Sequence, residues 1–338
     1  MTFITSKVKV IKLPEIIPIV IVNWNAARLL KEVCLKSIVG MDEPLRVNGI
    51  KARVIVIDNG SSDNSFRVIN NFTKRRDSNI KFEAIWQADD LGFVRSTNLG
   101  IKLAFEDPAV NFVATLNPDT KVHPDWLVNL VQRTKETKKK EKIGMFASEI
   151  DILEVPKHGI PKTTDEPFNY GHSYHQDGAC YDVGFGGFKV DQEKRFCHCH
   201  AGALLKREML EECGLIDEVY FGWYDCPNLG WKARLKGWKF ELVEGAKMWH
   251  RKSEARRRPE IRGIVERNRI LTILRFMPLD KQPLAIGEYL NGFRRDGTNY
   301  NEKMHAIKEA KKLFRGQYPA DPIVRSNIYD TYCRPPRE

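Results

Sequence analysis

Short apolar runs alternate with segments of helical periodicity through the first half of the chain. The apolar runs predict buried strands at residues 17–23, 53–58, 82–86 and 112–116. Apolar residues at helical spacing predict helices between them, over residues 26–39, 66–72 and 97–105. This βαβ repetition predicts an α/β fold, namely a doubly wound, mostly parallel sheet with helices on both faces. Ligands are then expected at the carboxyl ends of the strands.

The helix between the second and third strands carries a capping signal. Residues 63–65 read Asp-Asn-Ser, side chains that cap helix N-termini. The buried face of this helix is predicted at Phe66, Ile69 and Phe72.

The second half of the chain is less regular. Residues 150–195 are rich in Gly, Asp, His and aromatic residues without a long period, so we predict loops over the crevice. The charged run 135–142 predicts the solvated end of a helix that starts near Pro124. Regular structure is predicted again further on, at residues 201–205, 207–213, 229–236, 264–276 and 302–314. The last two segments form a helical C-terminal extension.

The predicted strands end in polar residues. Their carboxyl ends read Asn-Trp-Asn at 23–25, Asp-Asn-Gly at 58–60 and Asn-Pro-Asp at 117–119. In a doubly wound sheet these ends line one crevice. An acidic oxygen fixed at the end of a buried strand suits a metal ion that binds an anion. A plain Asn-Pro-Asp turn is the alternative reading of residues 117–119.

Composition indicates which partners and which cellular compartment to expect for the protein. The 338 residues carry a formal charge of +11, which favours anionic partners. Seven cysteines are too few for a disulfide framework, and their number is odd, which predicts a reducing, cytoplasmic compartment. The apolar run at residues 16–22 is far shorter than the ~20 residues of a membrane span. We therefore expect a soluble or peripheral protein.

Several segments, taken in order, resemble the inverting nucleotide-sugar glycosyltransferases of family two, with the rhamnosyltransferase-like branch closest. The resemblance covers about residues 16–275 and rests on the segments "IVIVNWN", "VIVIDNGSSDNS", "LGFVRSTNLGI", "ATLNPDTKVHPDWL", "AGALLKREMLEECGLIDEVYF", "WYDCPNLGWKARLKGW" and "MWHRKS". It implies a GT-A fold, a divalent cation (Mn²⁺ or Mg²⁺), and transfer of a sugar from a nucleotide diphosphate to an acceptor hydroxyl on a glycan or a lipid- or protein-linked saccharide.

The resemblance also implies how the chain is organised. Residues 1–120 are expected to form the nucleotide-sugar-binding half of a GT-A domain, and residues 121–260 its acceptor-binding and catalytic half. Residues 261–338 are expected to form the helical extension.

The donor residues follow from the resemblance. It assigns the nucleotide sugar to Asn23, Asn25, Asp58, Asp90, Arg95 and Asn117. Asp58 can accept the imide N–H of uracil or thymine, which predicts a UDP- or dTDP-sugar. The cation is expected on Asp119 and His250, in a motif where Asn117 replaces the family's first acid.

The position of the catalytic base departs from the family pattern. Cys226 occupies the place of the usual acid, and a thiol with an ordinary pKa of ~8.5 is a poor base at neutral pH. Asp225 is therefore the predicted base. Asp217 and Glu218 are reserve candidates or acceptor contacts, and His200 is a candidate acceptor contact.

Residues 197–200 read Cys-His-Cys-His, which raises the question of zinc. No Cys-x-x-Cys pair is present to complete a structural site. On a strand, the cysteines would face one side and the histidines the other. We therefore interpret this segment as a strand that leads into Ala201.

A basic cluster lies near the C-terminal end of the region that resembles the family. It predicts contact with a phosphorylated lipid carrier or an anionic membrane surface. It consists of Arg251, Lys252, Arg256, Arg257 and Arg258.

Three alternatives compete with a glycosyltransferase, and no nucleic-acid partner is expected. A nucleotidyltransferase needs a glycine-rich phosphate loop, and residues 23–28 contain no glycine. A nucleic-acid-binding protein would fit the charge, but it would not explain the acidic strand ends, and no nucleic-acid motif is present. A catalytically weakened nucleotide-sugar-binding protein is compatible with Cys226.

Overall fold

The computed structural model describes residues 15–75, 79–156, 159–251, 258–292 and 299–336. Within these ranges one eleven-stranded sheet runs through the molecule. Its strands are β1 (Glu15–Asn23), β2 (Ile50–Asn59), β3 (Ile80–Gln87), β4 (Phe112–Leu116), β5 (Thr120–Val122), β6 (Ile143–Glu154), β7 (Lys162–His175), β8 (Cys180–Gly184), β9 (Gly202–Lys206), β10 (Lys239–Arg251) and β11 (Cys333–Arg334).

The helices lie between and after these strands. They are α1 (Ala27–Leu29), a π-helical turn (Leu30–Leu35), α2 (Lys36–Val39), α3 (Asp42–Val47), α4 (Ser65–Thr73), α5 (Phe93–Ala104), α6 (Trp126–Glu136), α7 (Arg207–Cys213), α8 (Asp225–Leu235), α9 (Pro259–Phe276), α10 (Gln282–Asn291), α11 (Tyr300–Leu313) and α12 (Pro322–Tyr332). Short 3₁₀ turns occupy Lys139–Glu141, Phe185–Gly187, Gln192–Lys194 and Glu218–Tyr220.

The first four predicted strands form one continuous parallel block of the sheet, in the order β4-β1-β2-β3. Their register places Asn23 opposite Asp58, and Asp58 opposite Trp86. Ile21 lies opposite Leu116, so the chain after β4 emerges beside the end of β1. The predicted α/β fold is confirmed, and the carboxyl ends of these strands meet at one edge.

The sheet changes direction after β4. Strand β9 is antiparallel to both β4 and β6, while β10 runs parallel to β6 and antiparallel to β5. Strands β6, β7 and β8 fill much of residues 150–195, so the prediction of loops there was wrong. The sequence of β7 does alternate, as Phe-Asn-Tyr-Gly-His-Ser-Tyr-His at residues 168–175. Glycines and histidines lower the mean apolarity of this stretch and hide its period of two.

Several helix predictions also need correction. Helix α5 begins at Phe93, four residues before the predicted start at 97. Helix α6 ends at Glu136, so most of the charged run at 135–142 follows the helix. Phe66 is 59% exposed and packs against Trp86 with ring centroids 4.5 Å apart, while Val68 takes the predicted place in the core. The extension contains α10 and α12 in addition to the predicted helices.

Both faces of the sheet are covered, because successive residues of a buried strand point in opposite directions. Ile19 and Ile21 of β1 belong to the apolar core on one side, and Val20 belongs to the core on the other. That second core also contains Phe276 and Tyr289 of the C-terminal helices. The extension therefore shares a core with the sheet. The proposed division at residues 120 and 260 stays a prediction.

No helix in the described ranges is long and apolar enough to cross a membrane.

The packing of α5 on the sheet predicts that alanine substitutions at two helical glycines change the free energy of unfolding in opposite directions. A Cβ at Gly100 would lie 2.3 Å from Cγ1 of Val20 and 3.0 Å from Cδ1 of Ile57, because the helix backbone lies directly on β1 and β2. We expect Gly100→Ala to lower the free energy of unfolding by ~1–3 kcal/mol through overpacking. Gly263 of α9 is exposed, and a Cβ there meets nothing within 4 Å. Gly263→Ala should raise the free energy of unfolding by ~0.5–1 kcal/mol. Urea denaturation of both variants checks this, and equal effects would contradict it.

Candidate active site

The ends of β1 and β2 form a buried polar pair. Nδ2 of Asn23 donates to Oδ2 of Asp58 at 3.0 Å and to Oγ of Ser61 at 3.2 Å. The backbone N–H of Ser61 donates to Oδ1 of Asp58 at 2.9 Å. Asn23 and Asp58 are both buried. Each carboxylate oxygen of Asp58 retains a second lone pair, so the carboxylate can accept a further donor from a ligand.

Asn25 connects the end of β1 to the loop after β2. Its backbone is left-handed, with φ of 47°. Its Oδ1 accepts from the backbone N–H of Ser62 at 2.8 Å and, at 3.3 Å, from that of Asp63. Asn23, Asn25 and Asp58, which were predicted to bind the nucleotide sugar, therefore lie in one hydrogen-bonded group. Ser61 was missed by sequence reasoning, and its place in the turn of a Gly-Ser-Ser sequence was the available signal.

Asp90 shapes the loop that follows β3. Its Oδ1 accepts from the backbone N–H of Gly92 at 2.9 Å and also from Nδ2 of the buried Asn59. Gly92 has φ of 85°, and a Cβ there would lie 2.5 Å from the ring of Phe221. Only glycine allows the two segments to approach this closely. Asp90 therefore ties the loop to the end of β2, and Gly92 lets the loop lie against the segment that precedes α8.

Arg95 and Glu218 form a pair across the same cleft. Nε of Arg95 lies 3.3 Å from Oε2 of Glu218, and both side chains are more than a third exposed. Solvent screening makes such a pair worth only ~0–1 kcal/mol. Both groups can therefore exchange this contact for a ligand at little cost.

The end of β4 faces the end of β10. Pairing of β10 with β5 sets His250 opposite Thr120, which brings Nε2 of His250 to 3.4 Å from Oδ1 of Asp119. The same Nε2 lies 3.1 Å from Nδ2 of Asn117. The ring of Phe168 stacks on His250 at 5.3 Å with an interplanar angle of 5°. Phe168 belongs to β7, and the loop prediction for that region concealed it.

The contacts of His250 are suited to a metal ion. Its Nδ1 lies 2.8 Å from the carbonyl oxygen of Arg251, which requires Nδ1 to carry the proton. Nε2 then presents a lone pair towards Asn117 and Asp119. A neutral imidazole nitrogen held by a backbone carbonyl, beside a carboxylate, is a usual donor set for a divalent cation. The residues present therefore fit the predicted cation.

Asp225 lies in the first turn of α8, with Cys226 and His200 beside it. Its Oδ2 is 3.5 Å from Nδ1 of His200 and 3.5 Å from Sγ of Cys226. Burial raises the pKa of the Asp225 carboxyl, but the interaction with His200 outweighs it and holds the pKa below its usual value. The hydrogen bond with Cys199, together with burial, raises the pKa of Cys226 well above its usual value. The carboxylate is thus ionised and the Cys226 thiol is neutral at pH 7.

The segment before α8 has a strained backbone. Phe221, Trp223 and Tyr224 have φ of 60°, 57° and 59°. Nδ2 of Asn268 in α9 lies within 3.0 Å of the carbonyl oxygens of residues 220, 222 and 223. Left-handed backbone at bulky residues costs on the order of 1–3 kcal/mol each and often marks functional sites.

Asp217 is placed differently from Asp225. Its carboxylate lies 2.9 Å from Nζ of Lys232, 2.8 Å from Nδ2 of Asn228 and 2.8 Å from a guanidinium nitrogen of Arg275. Burial raises the pKa of Asp217, but Lys232, Asn228 and Arg275 outweigh it, so the pKa is lowered. Asp217 therefore joins α8 to α9 in this structure.

Only part of the basic cluster lies within the residues that the structure describes. Lys252, Arg256 and Arg257 lie outside the described residues. Arg251 ends β10 and lines a cavity of about 460 Å³ together with Asn25, Arg28 and Asp63. That cavity lies next to the strand ends, although neither Asp58 nor Asp119 lines it.

Comparison with known proteins identifies the class. Residues 19–214, more than half of the chain, match the model of glycosyl transferase family 2. The chain therefore belongs to that family, whose members transfer sugars from nucleotide sugars. No curated protein sequence matches it.

Solved structures of S. aureus TarS have a similar fold. The crystal structure of TarS residues 1–349 is 14% identical with a TM-score of 0.52, covering 87% of this chain and 78% of that one. The complex with UDP is 14% identical with a TM-score of 0.53, over 88% and 81%. The complex with UDP-GlcNAc is 14% identical with a TM-score of 0.54, over 87% and 79%. The similarity supports the predicted GT-A fold.

The contrast between Asp217 and its neighbour Glu218 can be tested by stability. Asp217→Ala leaves buried Lys232 without its carboxylate, so we expect a loss of ~3–5 kcal/mol in the free energy of unfolding. Glu218→Ala removes only an exposed pair and should cost less than ~1 kcal/mol. Urea denaturation compares the two. A stable Asp217→Ala variant would show that the ion cluster does not support the fold.

Proposed function

We propose that the chain is an inverting transferase that moves a hexosyl or rhamnosyl group from a UDP- or dTDP-sugar to an acceptor hydroxyl. The observation that carries this proposal is the convergence of Asn23, Asp58, Asp119 and His250 at the ends of neighbouring strands in a chain of this family. The acceptor is a hydroxyl on a glycan or on a lipid- or protein-linked saccharide. TarS, with the same fold, has been crystallised with UDP and with UDP-GlcNAc, which supports a uridine donor.

The buried pair at β1 and β2 is suited to the nucleoside. Asn23 and the Ser61 N–H fix the Asp58 carboxylate, so its orientation is set before a ligand binds. A carboxylate accepts the imide N–H of uracil or thymine, whereas the corresponding nitrogen of cytosine carries no proton. Asp90 and Arg95 are proposed for the diphosphate or the sugar.

Asp119 and His250 would hold Mn²⁺ or Mg²⁺, with Asn117 beside them. The cation, when bound, neutralises the charge of the leaving diphosphate. The carbonyl oxygen of Arg251 accepts from Nδ1 of His250 and keeps the imidazole oriented, while Asn117 lies beside Nε2. Phe168 fixes the ring plane by stacking.

Asp225 is proposed as the catalytic base. An acceptor hydroxyl attacks the anomeric carbon from the face opposite the leaving diphosphate, and Oδ2 of Asp225 takes its proton. His200 keeps the carboxylate ionised despite its burial. General-base assistance is typically worth ~10²–10⁴-fold.

A sugar-nucleotide-binding protein with weakened turnover is the second candidate. The observation that favours it is Cys226, a buried thiol with a raised pKa at the position of the family's acid. The visible members of the basic cluster, Arg251 and Arg258, support an anionic acceptor or an anionic membrane surface as partner.

The metal proposal can be tested with the donor alone. UDP-sugars and dTDP-sugars are incubated with the protein in Mn²⁺ or in chelator, and released UDP or dTDP is measured. We expect hydrolysis only with the cation, and a loss of at least ~10²-fold in Asp119→Asn, because the variant lacks the charged ligand. Asp125→Asn is the matched control, since Asp125 is half exposed at the start of α6. Activity that chelator does not change would contradict the metal role.

The proposal that Asp225 is the catalytic base can be tested by enzyme kinetics and ligand binding. Asp225→Asn keeps the shape of the side chain and removes its basicity, so kcat for transfer should fall by at least ~10²-fold. Binding of UDP, measured by calorimetry, should stay unchanged. Asp191→Asn, at an exposed acid, serves as the control. An active Asp225→Asn together with an inactive Cys226→Ser would assign proton transfer to the thiol instead.

A further inference from the structure

The structure brings together a group of sulfur and imidazole ligands that are distant in the sequence. His172 comes from β7, Cys199 from the segment before β9, and Cys226 from α8. Their ligand atoms all lie within 4.8 Å of one another. Residues 197–200 do not form the predicted strand, since only Cys197 makes an isolated bridge, to His172. Strand alternation therefore does not fix the direction of the Cys199 side chain, and its neighbours could not be predicted from the sequence.

His172 has the surroundings of a metal-bound histidine. Its Nε2 lies 3.1 Å from Oδ1 of Asp182 and 3.2 Å from Nδ2 of Asn169, and its Nδ1 lies 3.8 Å from Sγ of Cys197. A carboxylate on one ring nitrogen fixes the tautomer and leaves the other nitrogen as a ligand. His172 and Cys226 are both buried, which removes water as a competing partner.

The spacing of the group matches the size of a zinc ion. With Zn–S distances of ~2.3 Å and Zn–N distances of ~2.0 Å, tetrahedral ligands lie roughly 3.5–3.8 Å apart. A closure of about 1 Å would bring the three ligand atoms into this range. Thiolates also prefer zinc to Mn²⁺ or Mg²⁺, which favour carboxylate and other oxygen ligands. The group is thus chemically distinct from Asp119 and His250.

We propose that His172, Cys199 and Cys226 bind a zinc ion beside the candidate base. The proposal explains why a cysteine occupies the place of the family's acid: Cys226 serves as a ligand. Three protein ligands of the Cys₂His type leave a fourth coordination position open. The zinc would lie next to Asp225, because Sγ of Cys226 is 3.5 Å from its Oδ2.

Metal analysis tests the proposal without any assay of transfer. The full chain is expressed in zinc-supplemented medium, purified without chelator, and its zinc content is measured by mass spectrometry. We expect stoichiometric zinc in the wild type and loss of most of it in Cys199→Ser and in Cys226→Ser. Cys213→Ser should keep its zinc, because Cys213 is a buried cysteine of α7 outside the cluster. Asp119→Asn should also keep it, which separates this ion from the donor-side cation.

A second measurement covers variants that fold poorly. Co²⁺ added to the metal-free wild type should give thiolate-to-metal charge-transfer absorption in the near ultraviolet. His172→Asn keeps both thiols and should weaken Co²⁺ binding, while circular dichroism checks that the fold is intact. The proposal is overturned if the wild type holds no zinc and gives no such absorption. It is also overturned if the native protein contains a Cys199–Cys226 disulfide, or if Cys213→Ser loses zinc as readily as Cys199→Ser.

Discussion

Parallel pairing of β1 with β2 on one side and β4 on the other is the constraint on which the rest of the site depends. Because β1 and β2 run in register, Asn23 and Asp58 end their strands at the same level and bond to each other. Because β4 is also parallel to β1, the chain leaves the sheet beside them and turns at Asn117 towards Asp119. A slip of one residue in either pairing would turn these side chains to the opposite face.

The reversal of direction after β4 has an equally direct effect. Strand β10 runs back along β5, and this antiparallel pairing delivers His250 to Asp119. The side of the cleft that carries Asn23 and Asp58 is therefore built from parallel strands, and the side that carries His250 from an antiparallel pair. Both sides present polar groups at strand ends, where their backbone partners are already satisfied and their side chains can bind ligands.

Sequence patterns predicted the parts of the molecule that local rules determine. The four parallel strands have continuous apolar runs, and the polar residues that end them could be read directly, as at Asn23 and Asp58. Strand β7 could not be recognised, because its alternation is formed by aromatic, histidine and glycine residues. For the same reason the stacking of Phe168 on His250 was missed. The approach of Cys199 to Cys226 depends on long-range folding, which no local spacing encodes.

Through the three carbonyl contacts of Asn268, the C-terminal helices affect the geometry of the candidate site, although they are distant from the strand ends. Phe221, Trp223 and Tyr224 are held in a backbone conformation that they would leave if released, and the amide that restrains them belongs to α9. The energy stored in that turn is thus supplied by packing of the extension on the second core. A protein cut before α9 would retain Asn23, Asn25 and Asp58. It would lose the alignment of Asp225, so the two sides of the cleft differ in how much of the chain each requires.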